Sequence, residues 1–160
     1  MNVTVKIVRN DLDRFSRGIG GAIRQGLLAA GREFYDTTRS NFGVSGIDRP
    51  KPWPPLSESY KRELREKSFG TPLVPTLLRN GTLRASIRIG NLTNNSISIW
   101  TECPYAIDHQ FGVPWRHLPA RPFFPVFANG PNDQNARLTP RTEQKVLAAF
   151  TRAIERAAGQ

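Results

Sequence analysis

Two runs, "LRASIRIG" (Leu83–Gly90) and "SISIWTE" (Ser96–Glu102), flank "NLTNN" (91–95). Each run alternates apolar with polar residues, the period of a strand with one buried face. The asparagines between them suit positive-φ turn positions, so the segment predicts an antiparallel β-hairpin. On that reading Arg84 and Arg88 share one strand face, opposite Ile87 and Ile89.

Working outward, "VTVKIV" (3–8) alternates in the same way and predicts a further strand. Phe15, Ile19, Ile23, Leu27, Ala30 and Phe34 then step by three or four. With Asn10 or Asp11 as cap, this predicts a helix running to about Thr38. That helix carries Gly18, Gly20, Gly21, Gly26 and Gly31, each costing about 1 kcal/mol relative to alanine. Either a sheet or a neighbouring subunit approaches its backbone closely, or the helix is flexible or broken near Gly20.

The segment 41–55 holds four prolines and two glycines and reads as a loop. Ser57 caps a short surface helix over "ESYKRELREK". Thr139-Pro140 opens a closing helix with Val146, Phe150 and Ile154 on one stripe. The order predicts an α+β fold of one domain, 1–160. In it a small, mainly antiparallel sheet packs against a long N-terminal helix and a C-terminal helix, with long Pro-rich loops.

Charge is the strongest global signal: 23 Lys and Arg against 13 Asp and Glu give +10. This implies a polyanion or an acidic partner nearby, or else a solvated basic face. No acidic residue lies between Lys67 and Thr101, the interval that holds Arg79, Arg84 and Arg88. No apolar run approaches the ~20 residues of a membrane span, and the N-terminus has no signal-like apolar stretch, so the expected setting is the cytosol. The lone Cys103 has no partner for an internal disulfide.

"YAIDHQFGVPWRHLPARPFFPV" (105–126) collects both histidines and five aromatic residues. Its C-x5-H-x7-H spacing from Cys103 through His109 to His117 matches no zinc signature, and nothing beside Cys103 marks an activated thiol. No phosphate loop, carboxylate pair or serine elbow occurs, so neither an enzyme nor a cofactor is expected. The stretch reads instead as a structured loop. Tyr105 and Phe111 anchor a short helical turn, Gly112 ends it, His109 hydrogen-bonds locally, and Pro119, Pro122 and Pro125 hold an extended path. Arg121, held in that frame, is expected to grip a carboxylate or backbone carbonyls through its guanidinium fork.

Four ordered blocks carry a resemblance. Trp53, Leu56 and Tyr60 fall on a W-x-x-L block; Gly81, Leu83, Arg84, Ser86 and Ile87 on G-x-L-R-x-S-I; Tyr105, Ala106, His109, Gln110, Phe111 and Gly112 on Y-A-x-x-H-Q-F-G; and Pro119, Ala120, Arg121, Pro122 and Phe123 follow. Over roughly 52–126 the chain resembles the phage virion morphogenesis family, although Asn80 stands where that family usually has threonine. The resemblance implies a structural virion protein of a tailed phage, with no small-molecule substrate and no membrane. Its members are tail completion or neck subunits that form rings, often of six copies, assemble in the host cytoplasm, and join other neck, connector or tail proteins at the head-tail junction or tail end.

A basic ring suits genomic DNA passing through without sequence recognition. Arg79, Arg84 and Arg88 are the candidates to line that channel, the alternative for Arg84 being a neighbour's carboxylate. Trp53, Trp115, Phe123 and Phe124, of the types enriched at interface centres, are candidates for subunit or partner docking together with Arg121. For each aromatic the alternative is burial in its own core. The competing function is a non-specific basic nucleic-acid-binding protein.

Overall fold

A computed structural model describes residues 2–6, 20–43, 48–67, 77–78 and 81–158. The elements are β1 (Asn2–Lys6), α1 (Gly20–Ser40), α2 (Glu58–Lys67), α3 (Thr82–Ala85), β2 (Ile87–Gly90), β3 (Ser96–Thr101), α4 (Ala106–Phe111), a 3-10 turn (Pro114–Arg116), β4 (Val126–Phe127), β5 (Arg137–Leu138) and α5 (Pro140–Ala158). The fold is α+β, with a three-stranded antiparallel sheet in the order β1-β3-β2 and a two-stranded ribbon of β4 and β5.

The predicted hairpin forms, with Ile89 opposite Ile99 and Ile87 opposite Thr101. Its first strand begins later than the alternation suggests. Leu83, Arg84 and Ala85 are helical, because Gly81 turns the chain at φ 72° into α3 and the Ser86 hydroxyl donates to the Leu83 carbonyl at 2.8 Å. Ser86 also meets the Thr101 hydroxyl at 2.6 Å, and Thr101 accepts the Cys103 N–H at 3.2 Å. These local bonds complete a turn where a strand would need a ladder partner. Arg84 and Arg88 therefore do not share a strand face.

On the inner side of the sheet Ile87, Ile97 and Ile99 are buried, and α1 lies across them. The glycines of α1 divide by what faces them. A Cβ at Gly31 would fall 2.6 Å from Ile97 Cδ1, and one at Gly26 would fall 2.8 Å from the Phe150 ring of α5, whereas Gly20 and Gly21 face open space. Close approach thus explains Gly26 and Gly31, where the sheet and α5 press on the helix backbone. The start predicted for α1, including Asn10, Asp11, Phe15, Gly18 and Ile19, lies outside the described residues.

The closing helix begins at Pro140 as expected, with Val146 buried and Leu147 exposed. Its first turns are fixed by Asp48 of the Pro-rich loop. That carboxylate, almost wholly buried, meets Lys145 Nζ at 2.7 Å and Arg141 Nε at 3.4 Å. No helix among the described residues is long and apolar enough to cross a membrane.

Candidate functional site

The 105–126 stretch forms two layers, an inner one sealed in the core and an outer one facing solvent. α4 supplies the inner brace, and Gly112 terminates it at φ 80° with its N–H on the Asp108 carbonyl. A Cβ at Gly112 would lie 2.7 Å from the Ala120 nitrogen, so both the conformation and the close return of the chain require glycine there.

Gln110, a residue of α4 that is 3 % exposed, reaches the returning segment. Its Oε1 accepts the N–H groups of Phe123 at 3.0 Å and Phe124 at 3.1 Å, and its Nε2 donates to the Phe124 carbonyl at 3.4 Å. The Phe123 carbonyl accepts from Asn41 Nδ2 at 3.0 Å, and the Pro122 carbonyl accepts from Trp53 Nε1 at 2.7 Å. Arg121 donates its backbone N–H to the His109 carbonyl at 2.6 Å. A segment with no ladder neighbour therefore has its buried backbone groups satisfied by side chains from the turn after α1, from α4 and from the 48–57 loop, which burial demands.

That bracing drives Phe123 and Phe124 into the centre of the molecule. Both are fully buried, with ring centroids 4.9 Å apart, and they pack on Phe42 at 5.3 Å and Phe34 at 6.1 Å respectively. Neither is available as a docking side chain, which corrects that expectation in favour of the core alternative. Trp53 is half-buried: it meets Phe42 edge-on and carries the Arg49 guanidinium 3.6 Å above its ring centroid. Arg49 in turn donates to the carbonyls of Asn41 and Gly43.

Arg121 behaves as its neighbouring prolines suggest. Only 6 % exposed, it sends Nε to the Pro54 carbonyl and Nη2 to the Pro55 carbonyl, both at 3.3 Å, and so joins the two Pro-rich loops. Burial, the main cause, and the Arg121 charge hold the His109 imidazole below its usual value, against an opposing pull from Asp108. His109 stands edge-on to the Tyr105 ring at 5.7 Å. The local hydrogen bond expected of its ring is missing at Nδ1, which is buried and has no partner.

The outer layer is a closed turn. Val113 and Leu118 exchange N–H···O bonds of 2.8 and 3.1 Å, and His117 occupies the left-handed region at φ 51°. At its tip Trp115 is 82 % exposed, the most exposed of the large hydrophobic side chains among the described residues. Tyr105 and Ile107 are also exposed. Between this turn, α2 and the 55–57 segment lies a cavity of about 660 Å³, bordered by both histidines and Arg121.

Of the predicted channel residues, Arg84 is exposed on α3, and Arg88 pairs with Glu102 at 3.8 Å, just past the acid-free interval. Arg79 lies outside the described residues. Cys103 is buried two residues past β3, and its hydrogen bond with Tyr105, ahead of burial, raises the Tyr105 phenol. Among the described residues no three His, Cys, Asp or Glu side chains cluster closely enough to hold a metal ion. Gln110 and Asn41 do more to shape the site than sequence reasoning assigned them, and Asp48 more to fix α5. Gln110 had a usable signal, a polar residue enclosed by aromatics in "HQFG", while Asn41 and Asp48 look like ordinary turn residues. No protein-family model, curated protein or solved structure matches the chain.

Proposed function

We propose that this chain is a structural subunit of a tailed-phage virion, a ring-forming tail completion or neck protein that joins tail to head connector around the DNA channel. One observation carries the reading beyond the resemblance. Trp115 is held out in solvent on a turn locked at both ends, while the aromatics a few residues later are enclosed. A large apolar ring on a rigid loop loses little conformational freedom when a partner covers it, which suits it to the centre of an interface.

The braces around Gln110, Arg121 and Trp53 fit the same role. Each polar group among them ties the returning segment to another element and so fixes the shape that a neighbour must match. Heterologous contact between such faces closes into a ring when the rotation allows it. The excess of positive charge favours a polyanion in the lumen, held by screened contacts that permit sliding.

Size-exclusion chromatography with light scattering, followed by electron microscopy of the eluted species, tests the proposal. A closed oligomer with a central opening supports it. A monomer that binds oligonucleotides with steep salt dependence supports the competing basic nucleic-acid-binding reading.

A further inference from the structure

The cavity beside the outer turn draws its lining from α2, α3, α4 and both Pro-rich loops. Pro55, Leu56, Leu77, Leu83, Leu118 and Pro119 give it apolar walls, and Ser57, Tyr60, Tyr105, His109, His117 and Arg121 complete it. Its volume of about 660 Å³ is within the ~300–1,000 Å³ of ligand-binding pockets. Convergent polar groups in an apolar cleft mark a site that orients what it binds.

Two of those polar groups are incompletely used. The Arg121 guanidinium has five N–H donors, and only two of them reach carbonyls, at a long 3.3 Å. Among the described residues no carboxylate is paired with it, although the residue is only 6 % exposed. His109 Nδ1 is buried with no partner. Buried charge without a counter-charge is unfavourable, and an incoming carboxylate supplies one.

We propose that this pocket receives a segment of a protein partner that presents a carboxylate beside an apolar or aromatic side chain. The carboxylate accepts from the free guanidinium donors of Arg121. The apolar side chain packs against Leu56, Leu83 and Leu118. Charge complementarity selects an acidic occupant, as does the +10 charge of the whole chain. In taking the occupant to be a protein segment, the proposal rests on the assembly reading above.

A peptide array tests it, with glutamate or glutamine at the centre, flanked by every pairing of Leu, Ile, Phe, Trp and Tyr. Hits are then titrated against the full chain by fluorescence anisotropy. At least one glutamate peptide is expected to bind ten times more tightly than its glutamine twin. Arg121→Lys, which keeps the charge and loses the fork, should erase that margin. Because Arg121 also braces the loops, Leu56→Trp serves as the second variant: it fills the pocket from its wall and should abolish binding with the melting temperature retained. An array without any glutamate preference overturns the proposal, as does undiminished binding to folded Leu56→Trp. A ring without peptide binding removes this inference alone, whereas peptide binding by a strict monomer removes the ring and leaves the pocket.

Discussion

Residues 113–118 and 121–124 lie in one stretch, each carry one proline beside aromatic side chains, and meet opposite fates. In the second, Phe123 and Phe124 are wholly buried; in the first, Trp115 stands 82 % exposed. Hydrophobicity does not separate them, since tryptophan has as much apolar surface to hide as phenylalanine. The backbone does. The 122–124 segment finds Gln110, Asn41 and Trp53 waiting to bond its peptide groups, so it can enter the core without stranding them. The 113–118 turn bonds to itself, and its closed geometry projects the tip outward. An aromatic residue is buried when its peptide groups can be buried with it.

The contrast breaks most sharply in the inner layer. Phe123→Ala empties a fully enclosed site that touches Phe42 and Phe124 and should cost about 3–5 kcal/mol, read from urea unfolding midpoints. Next in size, Gln110→Ala leaves the Phe123 and Phe124 N–H groups buried without an acceptor. At about 1–3 kcal/mol for each such group, less what relaxation toward water recovers, a total of about 2–4 kcal/mol is expected. The same denaturation series measures it, and loss of near-ultraviolet aromatic dichroism should accompany it.

A smaller effect comes from His109. Burial lowers the folded-state affinity of His109 for a proton, so the unfolded chain binds the proton more readily. The stability linked to His109 is therefore fully present above about pH 6.5, the ordinary imidazole value, and is lost as pH falls through the lower folded value. Wild type should lose more stability between pH 7.5 and 5 than His109→Gln does. Equal losses in the two proteins would show that the ring is not held neutral by its surroundings.

Much of the fold was legible because periodicity reports directly on which face is buried. The strand at the N-terminus, the β2–β3 hairpin, the short helix capped by Ser57 and the helix opening at Pro140 all follow from spacing and caps. The misread strand start at Leu83 has a local cause: alternation in "LRAS" fits a strand, but the left-handed Gly81 and the Ser86 hydroxyl make a turn of helix. At the site, Arg121 as a brace was readable from its flanking prolines, and Gly112 from its place after the turn. The burial of Phe123 and Phe124 was not, because it depends on Asn41, 82 residues away from Phe123 in sequence, and on a glutamine whose reach is set only once α4 is formed. The pocket was invisible for the same reason, since it brings Leu56 and Tyr60 to His117 and Arg121.

The comparison rests finally on Trp115, where stability and assembly should part. Trp115→Ala removes a side chain with little burial, so its unfolding midpoint should stay within about 0.5 kcal/mol of wild type. Light scattering on the same two proteins is the direct test. Wild type should give a closed oligomer, and the variant folded monomers or open fragments. An intact ring in Trp115→Ala, or a wild type that remains monomeric at every concentration, would contradict it.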